Sequence, residues 1–359
     1  MKMQSSRVQY LISLLVSVLL ALGLGAIIMA LSGSNPIDGY GALLSGAFGN
    51  QRGTANMLYK AGQLAITGLA TAVAAQAGIF NVGGEGQMYL GALASAYFGA
   101  LLAGVSPLLA LPVCFLAAIL SGAVYAYIPA ILKIKLKINE VITTILMNSI
   151  AIFFCTYMCN GPLKTTEKGV SQGTAAIDKA FQFSKLVKGS NLTESIFYIA
   201  VISLFVWYLM SRTTIGFEMK LTGQNPRFAR FAGLKADQLG IWGMLISGAM
   251  CGMLGMFETF GLQTRFKPDF SNEFYFDGML VAMIMQYKPL GIILMSFFFA
   301  VLKVGAITMQ SKTGISSELI DIVQAIIIFF MAAESGILNI LRTRRASRPG
   351  VSIAKGADV

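Results

Sequence analysis

Residues 107–132 read PLLALPVCFLAAILSGAVYAYIPAIL, a run without a single charged side chain. An apolar stretch of about 20 residues is long enough to cross the ~30 Å hydrocarbon core of a bilayer as a helix. Similar stretches recur along the chain, and a helix satisfies its own backbone polar groups, which lipid cannot do. The pattern therefore predicts an all-α polytopic membrane protein.

The composition of the chain points the same way. Of the 359 residues, 56% are hydrophobic and 12% are charged, and the mean hydropathy is +0.71, whereas soluble domains carry about 25% charged residues. A transmembrane barrel would show alternating strands of ~10 residues instead. The chain contains no histidine, which excludes a histidine metal site and a histidine general base. The four cysteines fall inside predicted spans, where small residues favour helix packing.

We expect ten transmembrane helices. Segment 275–287 is too short to cross alone and is predicted to be a broken or re-entrant helix, which is tolerated only inside protein. The first span is longer than a signal-peptide core, so we expect it to be retained. The predicted spans lie near 8–31, 55–76, 84–104, 107–132, 139–159, 195–211, 239–262, 275–287, 289–309 and 318–341.

The formal net charge is +11, and lysine and arginine concentrate between alternate spans. Because such segments stay in the cytoplasm, we expect both termini inside the cell and a single permease domain over 1–359. Residues 212–238 then form a cytoplasmic coupling loop and 342–359 a basic cytoplasmic tail. Residues 160–194 form an external loop that is long enough to fold as a small cap.

Ionisable side chains inside spans are costly, so each marks a candidate site. The carboxylates are those of Glu85, Glu140, Glu258, Asp277 and Glu334, and Lys303 is a possible partner for one of them. Gly91, Gly99 and Gly104 suit close helix approach instead.

Residues Asn81 to Gln87 read NVGGEGQ and interrupt an apolar stretch. Their glycines make a regular helix costly. Two interpretations stay open: a broken helix whose polar groups, with Asn81, Glu85 and Gln87, face a cavity, or a turn that starts the third span with Glu85 at the helix N-terminus.

Two further patterns place polar side chains in spans. Asn139 caps the fifth span and Glu140 suits its positive end, while Thr143, Thr144 and Asn148 give the span a polar face toward the bundle. Phe257 precedes Glu258 and Phe276 precedes Asp277. An aromatic ring beside a carboxylate suits a flat polar ligand such as a nucleobase or a sugar, although simple packing explains these pairs equally well.

The coupling loop contains the sequence TGQNPRFARFAGL at 222–234. Its N-cap asparagine, following proline and terminal glycine predict a helix of about two turns. Such a short helix does not stand alone, which makes it a docking element or a surface helix on anionic lipid. The candidate docking residues are Gly223, Asn225, Pro226, Arg227, Ala229, Arg230 and Gly233.

These motifs, in this order and spacing over about 55–340, resemble the permease subunits of ABC importers for nucleosides and simple sugars, within the ribose and branched-chain amino acid permease group. The resemblance implies a second permease, the same or homologous, a cytoplasmic ABC ATPase docked near Asn225–Gly233, and an external substrate-binding lipoprotein. It implies inward movement of nucleosides or related sugars by alternating access, in the cell (plasma) membrane of a bacterial-type cell.

The chain has no G-x-x-x-x-G-K-[ST] loop, so we expect ATP to be bound by the partner and this chain to hold no cofactor and to be no enzyme. The alternative is an ion-coupled secondary transporter of a small polar solute, with Glu85, Glu258 or Asp277 as a relay. The stretches 86–154 and 278–330 are loosely alike. They predict an inverted repeat with Glu140 and Glu318 as counterparts.

Overall fold

The computed structural model describes residues 2–31, 33–167, 169–170, 172–271 and 273–330. In this part of the chain all regular elements are helices, apart from an isolated antiparallel bridge between Lys185 and Thr193. The all-α prediction is therefore confirmed.

The helices, numbered along the chain, include one in each of the ten predicted spans. A short 3-10 turn covers Lys179–Phe181, and a π turn, Thr259–Gln263, continues α10. The helices are α1 (Lys2–Leu31), α2 (Pro36–Phe48), α3 (Gln51–Gln76), α4 (Gly84–Leu101), α5 (Pro107–Leu136), α6 (Glu140–Asn160), α7 (Ser195–Arg212), α8 (Thr214–Gln224), α9 (Pro226–Phe231), α10 (Ala236–Glu258), α11 (Phe274–Ile284), α12 (Pro289–Thr313) and α13 (318–330). The remainder of the last predicted span and the tail at 342–359 lie outside the described residues.

Two helices of the structure, α2 and α8, are not among the predicted elements. Each begins after a side-chain cap: Asn35 accepts a hydrogen bond from the N–H of Ile37, and Thr213 accepts one from the N–H of Gly216. The glycines of α2 lower its intrinsic helix propensity, but Gly46 brings the helix against Thr308 of α12. Packing thus stabilises a helix that the local sequence disfavours.

Five of the described helices are long and apolar enough to cross a membrane: α5, α6, α7, α10 with its π turn, and α12. Residues 15–31 and α2, separated by a bend of 119°, provide a sixth if they act as one broken span. The central helices α3 and α4 are not among these, because they carry polar side chains that are buried in protein. The structure thus shows five or six membrane-capable helices.

Glycine contacts bring the central helices together. Gly91 of α4 lies against Gly252 of α10, and Gly122 of α5 lies against the backbone of Gly248 in the same helix. Such contacts let membrane helices approach closely, as predicted for Gly91. The interpretation of Gly104 as a packing residue is wrong. That glycine follows α4 with φ +82° and has open space around it.

The described residues between 160 and 194 fold back over the ends of α4 and α10. Phe183 donates a backbone hydrogen bond to Phe260 (3.0 Å), and the N–H of Ile177 donates to Thr264 (2.9 Å). Asp178 accepts hydrogen bonds from the N–H groups of Ala180 and Gly104, which hold the pKa of its carboxyl below the ordinary value. The segment is therefore a folded cap.

The helix junctions gather on two opposite sides of the bundle. We call the side that carries the cap the 160–194 face, and the side that carries α8 and α9 the 212–238 face. Asn191 of the cap donates to Asn56 near the start of α3, and Gly223 packs on the carbonyl of Gln76 at the end of the same helix. Helix α3 therefore runs from the first face to the second.

Candidate functional site

Helix α4 begins inside the bundle rather than at its surface. The N–H of Gly86 donates to the side-chain oxygen of Asn148 at 2.8 Å, eight residues into α6 and so about 12 Å from its start. Asn81 donates to the hydroxyl of Ser247 at 2.9 Å, about 16 Å along α10. The interrupted segment from Asn81 to Gln87 thus lies deep inside the helical bundle, which favours the broken-helix interpretation over a turn at the surface.

The N-terminal end of a second short helix meets α4 at this depth. The carboxylate of Glu85 accepts a hydrogen bond from the N–H of Tyr275 at 3.1 Å and another from the hydroxyl of Ser271. Helix α11 has no side-chain cap of its own, so Glu85 caps it from another helix. The hydroxyl of Tyr275 in turn donates to the carbonyl of Asn81 at 2.5 Å.

The predicted polar residues around the break bind one another and the backbone. Asn81 and Gln87 exchange side-chain hydrogen bonds at 2.9 and 3.2 Å. The hydroxyl of Thr144 accepts a hydrogen bond from the N–H of Val82, and the amide of Asn148 donates one to the carbonyl of Val82. All four side chains are buried, so in this conformation they hold the broken segment in place.

A second polar cluster surrounds Glu258. Its two carboxylate oxygens accept hydrogen bonds from the hydroxyl of Tyr59 at 2.6 Å and from the amide of Gln63 at 2.7 Å. Glu258 is 3% exposed and Gln63 is 1% exposed. The carbonyl oxygen of Gln63 is buried and has no hydrogen-bond partner in the described part of the chain. It therefore offers an acceptor that the protein leaves open.

Charged side chains continue from this cluster across three helices. Asp277 of α11 pairs with Lys303 of α12 at 3.0 Å and with Lys60 of α3 at 3.4 Å. Lys303 also pairs with Asp321 at 2.8 Å, and Lys60 lies 4.8 Å from the ring centre of Phe274. We call Tyr59, Lys60, Gln63, Glu258, Asp277 and Lys303 the Glu258–Asp277 cluster.

The two predicted aromatic–carboxylate pairs differ. Phe257 is 2% exposed and packs among aromatic rings, 5.9 Å from Phe115 and 6.1 Å from Tyr198, so packing explains it. Phe276 is half-buried beside Asp277, so part of its ring remains exposed.

Other predicted residues lie away from the two clusters. Asn139 caps α6 as expected, accepting from the N–H of Val141 at 2.9 Å. Glu140 pairs with Lys133 at 2.6 Å, and Thr143 donates back to the carbonyl of Asn139 at 2.8 Å. These contacts stabilise the start of α6. Glu334 lies outside the described residues.

The two clusters also contain four residues that are not among the predicted site residues: Tyr59, Lys60, Gln63 and Tyr275. A signal existed for Lys60, because it is an ionisable side chain inside a predicted span. No comparable signal marks the other three, since tyrosine and glutamine are common where helices pack.

The predicted short helix on the 212–238 face is present as α9. Asn225 accepts from the N–H of Phe228 at 3.0 Å and so caps it, and Gly233 follows its end with φ +83°. Ala229 is buried against the bundle, whereas Phe228 is 53% exposed and Phe231 91% exposed. The remaining predicted residues of this segment are arranged around the helix: Gly223 precedes it, Pro226 begins it, and Arg227 and Arg230 are exposed on it. Helix α9 thus presents two aromatic rings and two cations to the surroundings.

A bundle of apolar helices around buried polar clusters, with two helix starts meeting inside, is typical of membrane transport components. The chain belongs to the family described as the permease component of the branched-chain amino acid transport system, whose model matches residues 53–332. It is therefore an integral membrane permease subunit, as the sequence motifs predicted.

Curated relatives cover most of the chain. It is 34% identical to the nucleoside ABC transporter permease protein NupB of Lactococcus lactis subsp. cremoris, over 89% of this chain and 90% of that protein. It is 32% identical to the guanosine ABC transporter permease protein NupP of Bacillus subtilis, over 92% and 95%. It is also 32% identical to the glucose ABC transporter permease protein TsgB13 of Haloferax volcanii, over 88% and 85%. No solved structure matches the chain.

Proposed function

We propose that this permease carries a nucleoside inward, driven by a separate ATPase, past the point where α4 and α11 meet. The observation that carries the proposal is the junction of two helix N-termini inside the bundle, joined by Glu85 and Tyr275. Half-helices that end at depth form substrate sites in many transporters, because their free backbone groups face the interior. The names of the curated relatives support nucleosides as the substrate class.

The Glu258–Asp277 cluster has the chemistry that a nucleoside requires. Ribose hydroxyls donate hydrogen bonds, and the open carbonyl oxygen of Gln63 and the carboxylate of Asp277 accept them. The half-buried rings of Phe274 and Phe276 offer faces on which a flat base can stack. We assign these residues, with Glu258, to the substrate pathway.

The residues around the break have a different proposed role. Asn81, Gln87, Thr144 and Asn148 are fully engaged with the protein, so we assign them to positioning α4 along the pathway. Glu85 links this group to α11, and a change in its hydrogen bonds would move both short helices together. Direct contact between substrate and these side chains would require that rearrangement.

We further propose ten membrane crossings with both termini in the cytoplasm. Four connections come together on the 212–238 face: Gln76 contacts Tyr287, Gly78 contacts Gly223, and Lys133 and Lys137 line one cavity with Thr222. This alternation fits ten crossings. The lysine and arginine residues in 133–138 and 212–238 support an orientation with that face inside the cell.

An inverted repeat fits the packing. Helix α10 packs on α4 and α5, and α3 packs on α11 and α12 in the corresponding manner. The short helices α4 and α11 then correspond, with Glu85 at their junction. Glu318, at the start of α13, corresponds to Glu140 at the start of α6, and both starts carry a side-chain cap, from Ser316 and Asn139.

Helix α9 is the proposed docking site for the ATPase. Phe228 and Phe231 are exposed on a helix whose buried side chain is Ala229. Exposed aromatic side chains favour binding of a partner protein. Co-purification of an ATPase with the chain, abolished by deletion of residues 223–233, tests this assignment. Undiminished co-purification after the deletion would contradict it.

Two further partners follow from the family: an external substrate-binding lipoprotein and a second permease. Lactococcus lactis and Bacillus subtilis each have a second protein named as a permease of the same kind, NupC and NupQ, that is 23% identical to this chain. We propose that the second permease is likewise a different, homologous chain.

Nucleoside binding is tested with guanosine on the purified permease complex in nanodiscs. We expect Gln63→Leu and Phe276→Ala to weaken guanosine binding at least about tenfold, the usual cost of losing one good polar or stacking contact. Thr143→Val is the matched control, because Thr143 bonds its own helix. Equal affinity in all four proteins would remove this cluster from the substrate pathway.

A further inference from the structure

A small cavity of about 140 Å³ opens on the 212–238 face, between the turn at 77–79, the end of α5, α9 and the start of α10. Three cationic side chains line it: Lys133, Lys137 and Arg230. None of the residues that line the cavity belongs to either polar cluster in the bundle interior. The cavity belongs neither to the substrate pathway nor to the exposed aromatic side of α9.

The start of α10 contributes a second favourable feature. Ala236 and Asp237 of its first turn line the cavity, and no side chain caps this 23-residue helix. The first N–H groups of an uncapped helix and the helix dipole attract anions. Asp237 pairs with Arg230 at 2.8 Å, so its carboxylate is turned to that cation.

Thr222 provides an independent indication of a ligand. It lines the cavity and is 3% exposed, and its hydroxyl has no hydrogen-bond partner among the described residues. Buried hydroxyls are nearly always hydrogen-bonded. An anion with several acceptor oxygens in the cavity would satisfy this donor.

The charges around the cavity favour the anion. Lys133 is paired with Glu140 and Arg230 with Asp237. Lys137 donates to the carbonyl of Ile134 at 2.9 Å and forms no ion pair within the part of the chain that the structure describes. Three cations thus face two carboxylates, which leaves net positive charge at a helix N-terminus.

We propose that this cavity binds a phosphate group and thereby ties α9 to α5 and α10. Arg230 lies on α9 and Lys137 follows α5, so one phosphate contacted by both restrains the docking helix. The binding site stands on the cavity alone, whereas its effect on transport rests on the proposed docking of an ATPase on α9. Two sources share this chemistry: the headgroup of an anionic lipid and a soluble phosphate compound.

The test measures the thermal unfolding midpoint of the purified chain in nanodiscs. One arm uses phosphatidylcholine and titrates inorganic phosphate against chloride at equal ionic strength. The other arm replaces part of the phosphatidylcholine by phosphatidylglycerol, without free phosphate. A ligand that binds the folded chain raises the midpoint in proportion to its occupancy, so the arm that responds identifies the source.

Four variants make the test specific. Lys137→Gln and Thr222→Val are each expected to weaken phosphate binding about tenfold, because each removes a hydrogen bond to a charged group. Thr222→Ser keeps the hydroxyl and is expected to bind as the native chain does. Lys135→Gln, which alters an exposed lysine in the last turn of α5 outside the cavity, is the matched control.

A rise in the midpoint in either arm, lost in Lys137→Gln and Thr222→Val and kept in the other two variants, supports the site. No rise in either arm overturns it, as does a rise that all four variants share. Thr222→Val also reports on an empty cavity: without a ligand, removal of an unpaired buried hydroxyl would stabilise the chain regardless of phosphate. These results are independent of whether an ATPase docks on α9.

Discussion

The carboxylate of Glu85, in the first turn of α4, accepts a hydrogen bond from the backbone N–H of Tyr275, in the first turn of α11, at 3.1 Å. A side chain of one short helix thus caps another that comes from the opposite half of the chain. The two helix starts are fixed to each other inside the bundle, and any movement of α11 must be followed by α4.

Removal of this cap is expected to destabilise the chain. In Glu85→Ala the N–H of Tyr275 and the hydroxyl of Ser271 lose a charged acceptor, which costs about 2–4 kcal/mol, whereas Glu85→Gln keeps an acceptor and loses less. The thermal unfolding midpoint of the purified variants measures the difference. Glu273→Ala, an exposed carboxylate that makes no cap hydrogen bond, is the control. An unchanged midpoint in Glu85→Ala would show that the cap is dispensable.

The contact between α5 and α10 predicts a steric effect. In Gly252→Ala the added methyl group meets the backbone of Ala118 in α5, so the helices must separate, at a cost of about 1–3 kcal/mol. Gly41→Ala, in open space on α2, is expected to be neutral or slightly stabilising, since alanine favours a helix over glycine. Comparable midpoints for the two variants would contradict the close packing seen here.

The ion pairs of Asp277 predict unequal effects for two aspartates that contact the same lysine. Asp277→Asn leaves Lys60 without its carboxylate partner in a site where both side chains are mostly buried. We expect a loss of about 1–3 kcal/mol. Asp321 is 59% exposed, so Asp321→Asn is expected to cost less than about 1 kcal/mol.

Unfolding midpoints of the two single variants and of the double variant separate these contributions. A larger loss for Asp321→Asn than for Asp277→Asn would contradict the assignment of Asp277 to the cluster.

The exposed ring of Phe231 is expected to contribute to the affinity of the permease for the ATPase. We expect Phe231→Ser to reduce retention of the ATPase on the purified permease at least about tenfold, because aromatic anchors carry much of the energy of a protein interface. Phe217→Ser, which alters an exposed phenylalanine on α8, is the control. Equal retention in both variants would place the docking surface elsewhere.

The sequence predicts the positions of the helices along the chain better than it predicts which helices pack against each other. Hydropathy identifies α5, α6, α7 and α12, because lipid contact demands long apolar runs. It gives no sign of α2, whose Gly46 becomes favourable only against Thr308 of α12. Tertiary packing stabilises α2, and the local sequence contains no pattern that predicts this packing.

The same limit applies to the candidate site. Carboxylates inside spans are visible in the sequence because their burial is costly, and Glu85, Glu258 and Asp277 all lie in polar clusters. Their partners are not visible, because the pairing of Glu258 with Tyr59 joins residues 199 positions apart. Asn81 and Gln87 are the opposite case. Their motif is conspicuous in the sequence, yet in the structure they bind each other and stabilise the broken segment before α4.

The central claim, that a separate ATPase drives a nucleoside through this helical bundle, is tested most directly by uptake of radiolabelled guanosine into proteoliposomes. These contain the permease pair and the ATPase, with ATP inside and the substrate-binding protein outside. We predict uptake that requires ATP hydrolysis and continues after an ionophore has collapsed all ion gradients. Full uptake by the permease without the ATPase, abolished by the ionophore, would contradict the account and indicate an ion-coupled transporter.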